Sequence, residues 1–256
     1  MDFSRSTLLV TGGASGLGEG TVRRAASHGC RVAVLDLPNG RGNVIAAELG
    51  ENVRFFPVDL RDDLAVDETM HSVTQAFGRI DVAVNCAGVA DAARVVARDG
   101  KLFPLDVYRK VIDINLVGLF NVVRHAAKTM SANSPGADGE RGVIINVASI
   151  AGIEGQAGQA AYSASKAGVI GMTLPLARDL ASFGIRVLTI CPGIFDTNML
   201  ASADDQLRSR LIDIHVFPKR LGTPADFAHL VQSIVENPML NGEVIRLDAA
   251  TRLSHR

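Results

Sequence analysis

The chain has 256 residues, of which 47% are hydrophobic, so it is long enough to bury one sizeable core. Its 26 lysines and arginines nearly balance its 27 aspartates and glutamates, which leaves a formal net charge of −1. This balance gives no electrostatic reason to expect nucleic acid or an anionic membrane as a partner, and we predict neither.

The three cysteines, Cys30, Cys86 and Cys191, are widely separated in the chain. An odd and sparse set is not a disulfide framework, and no pair has zinc-ligand spacing with a histidine, so no metal site is predicted. A strand pattern begins at residue 7, which leaves no room for a targeting peptide, and no apolar run reaches membrane-spanning length. These features predict a cytoplasmic protein of a reducing compartment.

Short apolar runs alternate with longer helical patterns along the whole chain. Most of the short runs are continuously apolar, as expected for parallel strands that are covered on both faces. The alternation predicts an α/β fold: a single-domain, Rossmann-like, doubly wound parallel sheet of about seven strands with helices on both faces, spanning 1–256. The predicted strands are 7–11, 31–35, 53–58, 82–85, 143–147, 186–190 and 243–247. The predicted helices are 17–28, 41–50, 62–77, 106–131, 160–183 and 224–236.

Three segments lie outside this alternation, namely 89–103, 131–141 and 198–217. Long connections in a compact α/β domain are often lids or binding loops. We expect 198–217, which follows the sixth strand, to be a short helical insertion that shapes the substrate pocket.

A glycine-rich segment joins the first predicted strand to the first helix, with Gly12, Gly16 and Gly18 spaced around Ser15 and Leu17. Glycines allow the tight turn and the close backbone approach that a pyrophosphate needs when it binds at a helix N-terminus. Such a pattern alone can be an ordinary strand–helix turn. Its position after a strand and before a helix favours nucleotide binding.

Asp36 ends the second predicted strand, about 20 residues further on, where the dinucleotide fingerprint places an acidic residue. A carboxylate there can accept hydrogen bonds from the adenosine ribose and would repel a 2′-phosphate. The alternative is a turn-forming Asp before the segment 37–40. Together with the glycine loop, Asp36 predicts NAD rather than NADP as the cofactor.

Polar and small residues also end the third and fourth predicted strands. Asp59 follows the third strand, and the segment Asn85-Cys86-Ala87-Gly88 ends the fourth. Open α/β sheets bind ligands at the carboxyl ends of their strands, so we expect these residues to line the cofactor site. Read singly, Asp59 could instead be a cap for the helix predicted at 62–77.

Ser149 ends the fifth predicted strand, and Tyr162 and Lys166 follow at i and i+4 on one helix face. Hydride reduction of a carbonyl needs a proton donor at its oxygen, and a phenol can serve. A lysine cation one turn away favours the phenolate and lowers the tyrosine pKa, while the serine hydroxyl can hold the substrate oxygen. The alternative is a solvated i,i+4 pair on a helix surface.

Two further features are consistent with this chemistry. Asn115 interrupts an apolar helical stretch, so its buried amide must be satisfied, either structurally or by a backbone carbonyl and a water beside Lys166. Pro192 and Gly193 follow the sixth strand and set a turn from which the Thr197 hydroxyl could reach a nicotinamide amide. An ordinary strand-exit turn is the alternative.

In this order and spacing, the motifs resemble those of the classical short-chain dehydrogenase/reductase family, over almost the entire chain. The resemblance implies a proton relay of Asn115, Ser149, Tyr162 and Lys166. Within the family, the stretches 11–17, 35–38, 81–88, 141–146, 154–166, 171–180 and 237–248 are most similar to the type II 3-hydroxyacyl-CoA dehydrogenases.

That similarity implies the roles of further residues. Ser149, Gln156 and Tyr162 would contact the substrate, and the chain would form a homotetramer through the 106–131 and 160–183 helices and the C-terminal strand. The residues implied at NAD are Ser15, Leu17, Asp36, Asp59, Leu60, Cys86, Tyr162, Lys166, Phe195 and Thr197.

The leading hypothesis is therefore reversible oxidation of a 3-hydroxyacyl-CoA with NAD. Arg94, Arg98 and Lys101 could contact CoA phosphates, but we favour the alternative that they form a solvated basic loop. A steroid or small secondary-alcohol dehydrogenase would use the same relay with a different apolar pocket. A non-catalytic NAD-binding scaffold is a further alternative, but such a protein would usually have lost a relay residue.

Overall fold

Seven parallel strands form one sheet, in the order β3-β2-β1-β4-β5-β6-β7, in the computed structural model, which describes residues 1–200 and 204–255. Each neighbouring pair is parallel. The strands are β1 (Thr7–Thr11), β2 (Arg31–Asp36), β3 (Val53–Pro57), β4 (Val82–Asn85), β5 (Gly142–Val147), β6 (Ile185–Pro192) and β7 (Val244–Leu247).

Eight α-helices lie in the described ranges. They are α1 (Gly16–Ser27), α2 (Gly42–Leu49), α3 (Asp63–Phe77), α4 (Leu105–Ile112), α5 (Leu119–Ser131), α6 (Ala160–Leu180), α7 (Asp205–Ile214) and α8 (Pro224–Glu236). None of these helices combines the length and the apolar composition that crossing a bilayer would require.

Two of these helices form one continuous stretch. A π-helical segment, Asp113–Gly118, joins α4 to α5, so the single helix predicted at 106–131 contains a local widening. π-Helical turns are uncommon and often occur at functional sites. The insertion predicted at 198–217 contains α7, whereas its residues 201–203 lie outside the described part of the chain.

The core lies on both faces of the sheet, as alternate side chains of each strand point to opposite sides. In β1, Leu9 packs into a cluster with residues of α3, α5 and α6, while Leu8 and Val10 pack with residues of α1, α2 and α8. All five residues of β1 are buried. This double coverage explains why the strands read as continuous apolar runs, and it confirms the predicted doubly wound, single-domain fold.

The chain reverses its direction of winding between β1 and β4, which are neighbours in the sheet. From β1 the chain winds outward to β2 and β3, and it then returns to build β4 to β7 on the other side. Connections therefore leave β1 and β4 in opposite directions, and a crevice opens at the carboxyl ends of these strands.

The amino end of the sheet is held by a buried ion pair. Arg186, at the start of β6, is only 7% exposed, and its Nε donates to the Glu140 carboxylate at 2.7 Å. The same guanidinium donates to the carbonyl groups of Ile234 and Val235 at the end of α8, at 3.0 and 3.1 Å. One side chain thus joins β6 to the last turn of α8.

We predict that Arg186→Met lowers the free energy of unfolding by about 3 kcal/mol or more, because it leaves the Glu140 carboxylate buried with fewer partners. Chemical denaturation followed by circular dichroism would measure the change. Arg5→Met, which removes an exposed arginine paired with Asp2, is the matched control and should change stability little. Equal stabilities of the two variants would contradict the assignment.

Candidate active site

A cavity of about 960 Å³ opens at the carboxyl ends of the central strands. Most of the residues predicted at the site line it, although they come from distant parts of the chain. They are Gly12, Ser15, Gly16, Leu17, Gly18, Asp36, Asp59, Leu60, Cys86, Ala87, Gly88, Ser149, Gln156, Tyr162, Lys166, Pro192, Gly193, Phe195 and Thr197. The structure does not bring Asn85 and Asn115 into this wall.

The glycine loop lies directly against the exit of β4. Gly12 has a φ of +62°, and a Cβ added there would lie 2.8 Å from the backbone of Ala87. Only glycine gives both this left-handed conformation and this close approach at no steric cost. The Thr11 hydroxyl accepts a hydrogen bond from the Ala87 N–H at 3.2 Å, which fixes the two loops together.

The N-terminus of α1 faces the cavity. Ser15 is the residue that precedes α1, and its side chain makes no capping hydrogen bond within the described part of the chain. The first N–H groups of a helix have no partners inside the helix, so the first turn of α1 presents free donors to an anionic ligand. This arrangement fits a pyrophosphate.

Asp36 lies at the end of β2 with its carboxylate turned toward the glycine loop. One oxygen accepts the Ala14 N–H at 3.1 Å, and the other accepts the Leu37 N–H at 2.8 Å. The nearby Arg41 is paired with Glu19 at 3.4 Å rather than with Asp36. Each Asp36 oxygen keeps acceptor capacity, so the carboxylate can also receive ribose hydroxyl groups.

Asp59 has a partner that the sequence interpretation missed. Both of its oxygens bind the Arg61 guanidinium, and this hydrogen-bonded pair lowers the pKa of the Asp59 carboxyl. Asp59, Leu60 and Arg61 all line the cavity. The Asp59 carboxylate, which was predicted to line the cofactor site, is therefore part of an ion pair. The helix-cap alternative is not realised, because Asp62 supplies the capping bond to α3.

The segment at the end of β4 divides into two parts. Asn85 is 1% exposed, and its amide donates to the Asn146 side chain at 2.9 Å, which ties β4 to β5 below the cavity. Cys86, Ala87 and Gly88 line the cavity itself. Burial raises the pKa of the Cys86 thiol to about 12, so the thiol remains protonated at neutral pH.

Asn115 lies behind the cavity, in the π-helical segment. Its amide donates to the Val89 carbonyl at 2.8 Å and to the Ser165 hydroxyl at 3.1 Å, and its oxygen accepts the Val89 N–H at 2.8 Å. The expected bond to a backbone carbonyl is therefore present. Asn115 joins the chain after β4 to α6, the helix that carries Tyr162 and Lys166.

Ser149, Tyr162 and Lys166 meet at one point of the wall. A hydrogen bond joins the Ser149 and Tyr162 side chains. The Lys166 side chain is 4% exposed, its Nζ donates to the Val147 carbonyl at 2.8 Å, and it lies 5.8 Å from the centre of the Tyr162 ring. The Ser149 hydroxyl also accepts the Ala151 N–H at 3.1 Å, which fixes its orientation.

Burial is the main influence on the pKa values of Tyr162 and Lys166. It raises the pKa of Tyr162 above the usual value of a phenol, and the bond with Ser149 opposes this only in part. Burial also lowers the pKa of Lys166 to about 8. The sequence predicted that the pKa of Tyr162 is lowered, but its direction is upward, because loss of solvent is the dominant influence on the phenol. Tyr162 therefore keeps its proton at neutral pH.

The loop after β6 closes the opposite side of the cavity. The Gly193 N–H donates to Leu247 at 2.9 Å, and the Asp196 N–H donates to Gly222 at 2.8 Å, so backbone bonds hold the loop. A Cβ on Gly16 would touch Thr197 at 3.4 Å, which shows that this loop and the glycine loop approach each other. Asp196 also binds Arg208 of α7 at 2.9 Å.

The far end of the cavity is formed by elements outside the regular alternation. Gln156 lies in the segment after Ser149, and its amide donates to the Ser254 carbonyl at 3.1 Å. Glu154 accepts the Leu253 N–H at 3.0 Å and binds Arg246 at 2.7 Å. The C-terminal segment is thereby held against the loop that carries Gln156, and Leu253 lines the cavity.

One face of α7 completes this end and was not predicted residue by residue. Leu207, Arg210, Leu211 and Ile214 all line the cavity. Their i, i+3, i+4, i+7 spacing is a helical pattern that could have identified them in the sequence. Leu253, by contrast, gives no local signal.

The basic residues suggested for CoA phosphates lie elsewhere. Arg94, Arg98 and Lys101 are exposed and are not among the residues that line the cavity. They belong to a hairpin-like loop in which Val96 pairs with Leu102, and Lys101 binds Asp99 at 2.8 Å.

Comparisons with known proteins agree with this geometry. Residues 6–208 match the family model described as short chain dehydrogenase. The chain is 52% identical to 3-hydroxyacyl-CoA dehydrogenase type-2 of Drosophila melanogaster, with 96% of each chain covered. It is 51% identical to the Homo sapiens protein of that name, with 96% of this chain and 94% of the relative covered.

A solved structure extends the likeness to three dimensions. The crystal structure of 3-hydroxyacyl-CoA dehydrogenase type-2 from Mycobacterium avium has a TM-score of 0.94 and 41% identity, and the match covers 100% of this chain and 98% of that one. A doubly wound sheet, a cavity at its carboxyl edge and a family match over most of the sequence lead to the same conclusion. The chain belongs to the short-chain dehydrogenase family, and it is an oxidoreductase that uses a nicotinamide dinucleotide.

Proposed function

We propose that this enzyme interconverts a 3-hydroxyacyl-CoA and a 3-ketoacyl-CoA, with NAD as the cofactor. The observation that carries the substrate class is the similarity, at half of all positions and over nearly the whole chain, to dehydrogenases named for that reaction. The apolar side chains of α7 and the neighbouring Leu253 are compatible with the uncharged parts of an acyl-CoA. The segment 6–208 holds the family match, and we propose one domain over 1–256.

Different residues of the cavity wall would contact different parts of the cofactor. The first turn of α1 would hold the pyrophosphate, Asp36 would accept the adenosine ribose hydroxyls, and Leu60 would cover the adenine. Cys86, Ala87 and Gly88 would lie along the middle of the cofactor, and the Pro192–Thr197 loop would orient the nicotinamide. When bound, the cofactor supplies or accepts the hydride.

Ser149 and Tyr162 would act on the substrate oxygen. In the direction of ketone reduction, the Tyr162 hydroxyl donates its proton to the carbonyl oxygen, while the Ser149 hydroxyl donates a hydrogen bond to it. The raised pKa of Tyr162 keeps this proton in place until the oxygen becomes basic. In the direction of alcohol oxidation, the Tyr162 phenolate takes the proton, and the Lys166 cation favours that form.

Asn115 would act through its neighbours. It holds the Val89 backbone and the Ser165 hydroxyl, and Gly88 packs against its side chain. We propose that this positions the chain after β4 relative to Lys166, and that Gln156 contacts the substrate from the opposite loop.

The reaction and the role of Tyr162 can be tested together by following NADH consumption with acetoacetyl-CoA. We expect turnover by the wild-type enzyme, and we expect Tyr162→Phe to reduce kcat by roughly 10²–10⁴, because general acid catalysis contributes a factor of that size. NADH affinity, measured by fluorescence titration, should be nearly unchanged. The second tyrosine of the chain offers a matched control, since Tyr108 packs on Phe103 and does not line the cavity.

Normal turnover in Tyr162→Phe would remove Tyr162 from the reaction. If the wild-type enzyme binds NADH but leaves acetoacetyl-CoA unchanged, the acyl-CoA substrate is wrong. A steroid or a small secondary alcohol would then be tried, and a non-catalytic cofactor-binding role would follow only if those failed.

The preference for NAD over NADP can be tested at Asp36. We expect Asp36→Ala to reduce the ratio of NADH to NADPH turnover at least about tenfold, equivalent to ~1.4 kcal/mol, because it removes both a ribose acceptor and a charge that repels the 2′-phosphate. Initial rates with each cofactor would measure the ratio. Asp99→Ala changes an exposed carboxylate of the 95–103 loop and should leave the ratio as it was, whereas an unchanged ratio in Asp36→Ala would contradict the ribose assignment.

We also propose a homotetramer, built through the 106–131 and 160–183 helices and the C-terminal strand. Support comes from large apolar side chains that are exposed on these helices, among them Val117, Phe120 and Leu174. Contiguous exposed apolar surface is typical of an interface. Light scattering should therefore give four times the chain mass for the wild type and a smaller mass for Phe120→Glu. A monomeric wild type would exclude the assembly.

A further inference from the structure

The substrate end of the cavity contains one cation among apolar side chains. Leu207, Arg210, Leu211 and Ile214 form the face of α7 that lines the cavity, and Arg210 is the charged member of this face. A charged residue in the middle of an apolar helix face interrupts the pattern expected for simple packing. Arg210 lines the cavity and is also exposed to solvent.

Arg210 differs from the other cations around the cavity in having neither an ion-pair partner nor a hydrogen-bond partner within the described residues. Arg61 binds Asp59, and the buried Lys166 donates to the Val147 carbonyl. Arg210 forms no ion pair or hydrogen bond inside the described ranges, although Asp213 lies one turn further along α7. Five donors in a fixed planar arrangement are thus available to a ligand.

The contacts of Arg208 fix the orientation of α7 about its own axis, and with it the direction in which Arg210 points. Arg208 binds the Asp196 carboxylate at 2.9 Å and the Leu200 carbonyl at 3.3 Å, which anchors α7 to the loop after β6. Side chains two positions apart on an α-helix point roughly 200° apart. Arg208 therefore faces the protein loop, and Arg210 faces the cavity.

We propose that Arg210 binds a phosphate group of the CoA portion of the substrate, outside the reacting centre. The inference rests on the proposed acyl-CoA function and assigns a residue to the recognition of the CoA. Guanidinium groups bind phosphate in a bidentate manner, and the aliphatic part of the arginine side chain continues the apolar surface. Leu207, Leu211 and Ile214 then contact the uncharged part of the thioester, between the phosphate and the carbonyl.

This assignment replaces the basic loop as the phosphate contact. The guanidinium and ammonium groups of Arg94, Arg98 and Lys101 are exposed, and their residues are absent from the cavity wall. Lys101 is paired with Asp99 at 2.8 Å. Arg98 therefore provides a matched control, as an exposed arginine of the same charge at a position away from the cavity.

The test compares acetoacetyl-CoA with the N-acetylcysteamine thioester of acetoacetate, which carries the same reacting group and no phosphate. For Arg210→Gln, kcat/KM with acetoacetyl-CoA should fall by about threefold to tenfold through a higher KM, the effect of one charge-assisted hydrogen bond near the surface. Turnover of the small thioester and NADH affinity should not change. Arg98→Gln should behave as the wild type with both thioesters, and Arg210→Lys should recover part of the loss.

Acetoacetyl-dephospho-CoA separates the two possible phosphates. A loss in Arg210→Gln that persists with this substrate assigns the contact to the pyrophosphate, and a loss that disappears assigns it to the 3′-phosphate. The proposal is overturned if Arg210→Gln affects both thioesters equally, or neither, or if Arg98→Gln shows the selective loss instead. If the wild-type enzyme converts none of the thioesters, the proposed acyl-CoA function is wrong, and the assignment of Arg210 to a CoA phosphate is then wrong as well.

Discussion

The seam between β1 and β4 is the constraint on which the cavity depends. The Thr11 hydroxyl accepts the Ala87 N–H, and Gly12 approaches the Ala87 backbone so closely that a side chain would force the two loops apart. Both loops are then held at fixed positions on either side of the crevice that the reversal of winding opens. The helix N-terminus of α1 and the exit of β4 face the same ligand only because this contact is made.

A second constraint follows from burying a cation beside a phenol. Lys166 donates to the Val147 carbonyl and has the thiols of Cys86 and Cys191 as neighbours, and burial brings its pKa down to about 8. The same loss of solvent raises the pKa of Tyr162. Desolvation thus favours the neutral form of both Tyr162 and Lys166. At the tyrosine, the hydrogen bond with Ser149 acts in the opposite direction and lowers the pKa. As a result, Tyr162 retains its proton, and Lys166 loses its proton more readily than an exposed lysine does.

The sequence was sufficient to predict the alternating strands and helices, and also the residues whose neighbours are determined by the order of the strands. Seven apolar runs and their parallel pairing place Asp36, Ala87, Ser149 and Pro192 at one edge of the sheet, so their convergence could be predicted. The widening of the helix around Asn115 could not, because the Val89 backbone that binds its amide lies 26 residues away. The same holds for Asn85, which reads as a cofactor residue but pairs with Asn146 on the next strand.

The substrate end was harder to predict because it is built by segments with little periodicity, α7 and the C-terminal residues, and because its electrostatics depend on pairing. Asp59 and Asp91 line the cavity, and Glu154 and Asp196 lie within two residues of side chains that line it, which would suggest a negative site. Each of these carboxylates binds a cation, namely Arg61, Lys110, Arg246 and Arg208. Within the described residues, Asp36 then remains without a cationic partner at the ribose end, and Arg210 remains without any ion-pair or hydrogen-bond partner at the substrate end, while the buried Lys166 donates to the Val147 carbonyl. A cavity polarised in this way repels a phosphate at one end and attracts one at the other, so the same pairing of charges that selects the cofactor would also orient an anionic substrate.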